Sequence, residues 1–268
     1  MKDTVLCGNH LDLLADFPDD TFDMFLTSPP YGNLRDYNGY DFQFEPLAHE
    51  LYRTLKPGGV GVWIVGDATI NGSETLTSFK QAIYFKEDVG FNIETMIYEV
   101  PSTGAKGSNY FYWQAFEYMF ICCKGQPKTS NLIHDIDNTD KKNMFITSGR
   151  RKKNGEIKHR KRRRISRDGM SRRKNIWRMY TGYNQFTSTG HPAPFPEKLA
   201  EDHILSWSNP GDLILDPMCG SGTTCKMAVK HQRDYIGMDC SSEYCELAKT
   251  RIENFLKQTT IFDYAPTV

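Results

Sequence analysis

Apolar positions recur with two periods along the chain. Thr4–Cys7, Phe22–Leu26, Val60–Val65, Ile93–Val100 and Glu117–Cys123 are short β-branched or aromatic runs and predict strands. Between them, Leu11, Leu13, Leu14 and Phe17 fall on one face of a short helix that ends near Pro18. Phe44–Leu55 predicts an amphipathic helix, stopped by Lys56-Pro57-Gly58-Gly59, and Glu74–Asp88 fits another. The same alternation returns after residue 190. Glu197–Trp207 predicts a helix, Leu213–Asp216 a strand, Thr223–His231 a helix, Tyr235–Asp239 a strand and Ser242–Lys257 a long helix capped by Ser242. Strands alternating with helices imply an α/β fold with a parallel sheet.

Residues 124–190 break this rhythm. They are polar, basic and poor in aliphatic periodicity, and the stretch is too long for an ordinary connector. It is either a small separate lobe or a partly disordered insertion. Three spans result: 1–123 and 191–268, two halves of one α/β domain, with 124–190 between them.

Composition bears this out only in part. A chain of 268 residues, 39% hydrophobic, can bury one sizeable core with a small appended lobe. It holds no apolar run of membrane-spanning length and no signal-peptide core behind Met1, so a cytoplasmic location is expected. The seven cysteines show no zinc spacing; reduced, mostly buried thiols and no metal site are expected. Net charge is zero, yet residues 150–174 hold 14 lysines and arginines against Glu156 and Asp168. That block is the footprint expected for a polyanion partner.

Two loops carry candidate chemistry. Leu213–Asp216 runs into Pro217-Met218-Cys219-Gly220-Ser221-Gly222-Thr223-Thr224, a strand, glycine turn and helix start where a ligand can approach the main chain. Asp239 ends the next strand, as an acid does that holds ribose hydroxyls in nucleotide-binding folds. The third glycine of a dinucleotide site and the lysine of a phosphate-binding loop are both missing, which argues against NAD and ATP. The second loop, Thr27-Ser28-Pro29-Pro30-Tyr31-Gly32, directly follows the strand Phe22–Leu26. Paired prolines fix the backbone and remove two donors, leaving the Ser28 hydroxyl, two carbonyls and the Tyr31 ring. Such acceptors beside an aromatic face suit alkylation of a nucleobase amine, whose lone pair is delocalised into the ring. A tight turn without a ligand remains the plain alternative for each loop.

Together these motifs resemble the amino-methyltransferases of DNA in their circularly permuted "beta" order. Thr27–Tyr31 matches the catalytic motif, Asp216–Thr224 the cofactor loop (with Met218 where phenylalanine is usual), and Gly237-Met238-Asp239 the ribose-binding acid. His191–Leu199 resembles the segment that closes over the cofactor, and Leu55–Gly59 a turn that members often carry. The resemblance covers about 200 of the residues and leaves the basic middle as the target-recognition insertion.

It implies a Rossmann-like sheet, S-adenosyl-L-methionine as cofactor, and site-specific methylation of a flipped base in double-stranded DNA. Serine at the first catalytic position implies cytosine N4, with adenine N6 as the alternative and a catalytically silent DNA-binding module as a remoter one. By position, Ser28 and the Pro29 carbonyl would bind the amine, Pro30 would fix the loop and Tyr31 would stack on the base. Gly220 and Gly222 would admit the methionine part of the cofactor, with Met218 and Cys219 in the same turn. Asp216 would meet its α-amino group, Thr223 and Thr224 its carboxylate, Asp239 its ribose, Asn9 its adenine and Phe195 its body.

DNA contact is assigned to Arg35, Arg160, Lys161, Arg162, Arg163, Arg164, Arg172, Arg173, Lys174 and Arg178. Trp177 and Phe186 are expected in the core of the small lobe. A restriction endonuclease counterpart fits the family, no membrane contact is expected, and monomer and homodimer both stay open.

Overall fold

The computed structural model describes residues 1–30, 42–99, 110–137, 149–159, 170–179 and 196–263. Tyr31, Arg35, Arg160, Lys161, Arg162, Arg163, Arg164, Phe186 and Phe195 lie outside them.

The main unit, Met1–Asn131 with Asn175–Val268, is built on an eight-stranded sheet. Its strands are β1 (Thr4–Cys7), β2 (Phe22–Thr27), β3 (Leu55–Val65), β6 (Asn92–Glu99), β7 (Phe116–Cys123), β12 (Ile176–Arg178), β13 (Leu213–Asp216) and β14 (Asp234–Asp239). A small hairpin of β4 (Thr69–Ile70) and β5 (Ser73–Glu74) follows β3. The helices are α1 (His10–Ala15), α2 (Phe44–Thr54), α3 (Thr77–Tyr84), α4 (Glu197–Trp207), α5 (Thr223–Lys230) and α6 (Ser242–Asp263).

The order across the sheet is β1-β14-β13-β2-β3-β7-β6-β12. Pairing is parallel except at β7, which runs antiparallel to both β3 and β6. The expected parallel sheet is thus found with one antiparallel strand set into it, which makes it mixed. Hydrophobic pattern reports which faces are buried, not strand direction, so β7 gave no warning.

β3 shows why the centre of the sheet is apolar throughout: every residue from Val60 to Val65 is buried. Val60, Val62 and Ile64 join the core under α4, α5 and α6, with Leu199, Ile204, Met227 and Ile252. Trp63 and Val65 join the opposite core with Leu14, Leu47, Leu51 and Phe85, under α1 and α2. Each fully buried leucine or phenylalanine contributes about 1.5–3 kcal/mol through burial.

Several element boundaries move. β3 begins at Leu55, so Lys56–Gly59 lies inside the strand; Leu55 pairs with Phe22, and the register then shifts before Met24 pairs with Val60. The expected helix over 74–88 is α3 followed by a π-helical turn at Phe85–Val89. The cap of α6 is Ser241 rather than Ser242: its hydroxyl accepts from the Tyr244 N–H at 3.4 Å, three residues into the turn.

Leu132–Lys174 forms a second, small unit. There β8 (His134–Asp137) pairs with β11 (Met170–Arg172), and β9 (Gly149–Arg151) pairs with β10 (Ile157–His159), both antiparallel. The stretch 124–190 is thus divided. Asn131 binds the Leu205 and Ser208 carbonyls, and β12 extends the main sheet along β6. Trp177 is accordingly corrected from a small lobe to the main core, 6% exposed and stacked on His203 at 4.5 Å.

Candidate active site

Parallel strands deliver their C-terminal ends to one rim. β1 ends there at Cys7, β14 at Asp239, β13 at Asp216, β2 at Thr27 and β3 at Val65. The helix after β13 covers one face of the sheet, and the helix after β2 covers the other. β13 and β2 are hydrogen-bonded neighbours, so the crevice of the topological switch point opens between them. Both sequence motifs start at this crevice, one on each strand, about 4.8 Å apart across the ladder. The Thr224 hydroxyl, in the first turn of α5, donates to the Leu26 carbonyl at 3.3 Å, two residues before Ser28.

On β2, Ser28 is half-buried and Pro29 buried. On β13, Asp216 is 1% exposed; its Oδ1 accepts the Met218 N–H at 3.2 Å. Its Oδ2 is buried with no hydrogen-bond partner among the described residues. Burial is the largest effect on this carboxyl and pushes it up to about 6, against the opposing effect of the Met218 N–H.

The turn between β13 and α5 is held from three sides. Gly220, at φ 51°, donates its N–H to Asp239 Oδ2 at 2.9 Å. The Cys219 N–H donates to the Met238 carbonyl at 2.8 Å. Gly222, at φ 76°, lies against α6: a Cβ there would stand 2.8 Å from that of Ala248. Helix packing therefore accounts for glycine at 222, and the left-handed backbone for glycine at 220. Asp239 also accepts the Ser241 N–H at 2.9 Å, and burial raises its pKa. Two bonds leave further lone pairs on that carboxylate for a ligand. Asn9, at the end of β1, has its amide oxygen engaged as the cap of α1, accepting from Leu11 N–H at 2.8 Å.

Sequence reading missed the clamp on this turn. Arg251 of α6 donates to the Ser221 carbonyl and, at 2.8 Å, to the Ser221 hydroxyl, and to Thr223 Oγ1 at 3.4 Å. Glu197 of α4 holds Arg251 at 3.0 Å and Lys226 at 2.7 Å. No local pattern in a helix surface marks an arginine as reaching 30 residues back. A buried carboxylate oxygen without a partner among the described residues, above a turn whose next strand ends in a second acid, fits the α-ammonium and ribose of the expected S-adenosyl-L-methionine.

Of the residues assigned to DNA, Arg178 is on β12 and pairs with Glu99 at 3.0 Å. Arg172 and Arg173 lie at the end of β11 and just beyond it, followed by Lys174; Arg173 is ion-paired with Asp135.

Comparison with known proteins bears on the family and the fold. A DNA methylase family model, that of the N6/N4 methyltransferases, matches residues 22–250. The orphan methyltransferase M.BamHII of Bacillus amyloliquefaciens is 52% identical over 247 residues, 89% of this chain and 91% of that protein. The solved structure of the PvuII DNA methyltransferase (cytosine-N4-specific) superposes with a TM-score of 0.67 at 22% identity, covering 94% of this chain and 89% of the other. TTHA0409 of Thermus thermophilus, complexed with S-adenosyl-L-methionine, gives 0.63 at 23% identity, covering 94% and 93%. With one family model across most of its length and a relative at 52% identity over nearly all of it, the chain belongs to the N6/N4 family of DNA methylases.

Proposed function

We propose that this protein transfers a methyl group from S-adenosyl-L-methionine to the exocyclic amine of a base flipped out of double-stranded DNA, with cytosine N4 as the target. The observation that carries this reading is the meeting of the Ser28-Pro29-Pro30 loop and the Asp216–Thr224 turn at one crevice, joined by the Thr224–Leu26 hydrogen bond.

The cofactor supplies an electrophilic methyl on a cationic sulfur. Asp216 would hold its α-ammonium, Asp239 its ribose hydroxyls, and the first turn of α5 its carboxylate. The Ser28 hydroxyl and the Pro29 carbonyl accept the two N–H groups of the target amine. That draws the nitrogen toward a pyramidal geometry and localises its lone pair, which makes a poor nucleophile competent; as the N–C bond formed, the methyl's bond to sulfur would break with its electron pair left on sulfur, and the nitrogen would release one N–H proton to solvent. Pro29 and Pro30 fix their own φ angles, so much of the backbone ordering cost of the loop is met in folding rather than at each turnover. No covalent bond to the base is required, which leaves the buried thiols without a part in the chemistry.

Serine in the first catalytic position supports cytosine N4, as does the cytosine-N4 specificity of the PvuII neighbour. In this reading the basic segment, Arg160–Arg164 with Arg172, Arg173 and Lys174, neutralises phosphates, and the stretch 124–190 selects the target. Mass spectrometry of nucleosides from DNA of cells expressing the protein tests the proposal. N4-methylcytosine is expected. N6-methyladenine would reassign the base, and neither product, from a protein that binds the cofactor, would sink the reading.

A further inference from the structure

β7 enters the sheet from the active-site rim, because it runs antiparallel to both of its neighbours, β3 and β6. Phe120 is level with Trp63, and Trp63 with Thr27. Phe116 therefore stands four residues outward of the level at which the Ser28 loop begins, two strands or about 10 Å to the side. The residues just before it are Tyr110, Phe111, Tyr112 and Trp113, which are 90%, 70%, 102% and 67% exposed. Four consecutive large rings held in solvent are unusual for a globular surface and mark a place of contact.

Their base is rigid. Phe116 packs edge-on against Tyr118 at 5.2 Å, Phe79 does the same from α3 at 5.2 Å, and Tyr118 stacks on Phe120 at 5.6 Å. No lysine or arginine occurs between Tyr110 and Cys123. The run itself therefore offers base faces a stacking partner and carries no cation of its own for a phosphate.

We propose that Tyr110–Trp113 is the surface that stacks on the bases of substrate DNA beside the extruded nucleotide. The inference rests on the methyl-transfer reading above. When a base reaches Ser28, the body of the duplex stays outside the rim, the side from which the chain enters β7 after this run. Extrusion leaves unstacked base faces, and aromatic side chains offset that loss, a device known from wedge residues and single-strand binders.

Trp113 provides the probe. Trp63 and Trp177 are buried and Trp207 is partly buried in the core, so Trp113 is the well-exposed tryptophan of the four. Mixed-sequence plasmid DNA should shield the acrylamide-accessible part of the wild-type emission, a part absent from Trp113→Phe. Replacing both Tyr112 and Trp113 by alanine should cut methyl transfer to that DNA at least tenfold, with S-adenosyl-L-methionine binding changed less than twofold. Undiminished transfer by the double variant, or a Trp113 still quenched in the DNA complex, overturns the inference. So does protection that depends on protein concentration without DNA, which would assign the surface to a second copy. If the wild type transfers no methyl to any DNA, the methyl-transfer reading is what fails, and plasmid shielding of Trp113 still decides whether the run touches DNA.

Discussion

A carboxyl as buried as that of Asp216 titrates far from its ordinary range, and the sign of its effect can be worked out. Its folded value of about 6 lies above the unfolded 3.8, so between them the folded protein keeps a proton that the unfolded chain has lost. Stability of the cofactor-free protein should fall as pH rises through that window, with the penalty complete above about 6. The shift corresponds to roughly 3 kcal/mol. Urea unfolding at steps from about pH 4 to 7 should show this slope in the wild type and lose it in Asp216→Asn. On the proposed reading the α-ammonium of the cofactor stabilises the ionised form, so cofactor affinity should rise over the same window; identical pH profiles in wild type and variant would remove Asp216 from that role. Ser28 answers to a different measurement. On the proposed reading its hydroxyl is an acceptor used mainly when the amine pyramidalises, so Ser28→Ala should lose about 3 kcal/mol of transition-state stabilisation, roughly 10²-fold in turnover. Cofactor affinity should change little, and near-normal turnover would count against the assignment.

Among the elements, α6 does more than cover the sheet. Through Arg251 it grips the carbonyl of Ser221, and through Ala248 it leaves no space for a side chain at Gly222. Arg251→Met keeps the aliphatic stem and removes the charge-assisted bonds. The turn should loosen and the Kd for the cofactor should rise about tenfold, on the order of 1–2 kcal/mol, with a smaller change in kcat. Calorimetric titration with the cofactor checks this, and an unchanged Kd would make Arg251 a purely structural tie. This clamp shows where legibility ends. The strands Thr4–Cys7 and Leu213–Asp216 and the helix Glu197–Trp207 are readable residue by residue, because apolar period and turn residues are local signals. Both loops of the site are readable too, since proline pairs and glycine turns are written into consecutive residues. Arg251, the reversed direction of β7 and the burial of Trp177 depend on partners distant in the chain. β12 has only three residues in a polar stretch and becomes a strand through pairing with β6. The exposed ring cluster at Tyr110–Trp113 is visible in the sequence, but its meaning appears only once β7 is known to start at the rim.

At the scale of the whole molecule, the formal net charge is zero, with 33 basic and 33 acidic residues. At distances beyond the Debye length, about 8 Å at physiological salt, DNA meets a protein with no net attraction. Phosphate binding must then come from charge gathered in one place, and residues 150–174 gather it. Several of those charges are already engaged: Lys152 with Glu156 and Arg173 with Asp135. The run Arg160–Arg164 is five consecutive cations with no acid within it, so it is where phosphate neutralisation should concentrate. Each phosphate neutralised on duplex DNA contributes about 0.9 to the slope of log Kobs against log salt. Replacing all five by glutamine should flatten that slope by up to about 4.5 if each contacts one phosphate. The loss in affinity should be large at low salt and small at high salt, because the two binding curves converge as counterion release stops counting. A contact that reads bases would behave otherwise, lowering affinity by a similar factor at every salt concentration. Titrations of one DNA fragment from 50 to 300 mM salt, about the range in which such slopes are linear, separate the two. Parallel lines for wild type and variant would take this segment out of the phosphate interface.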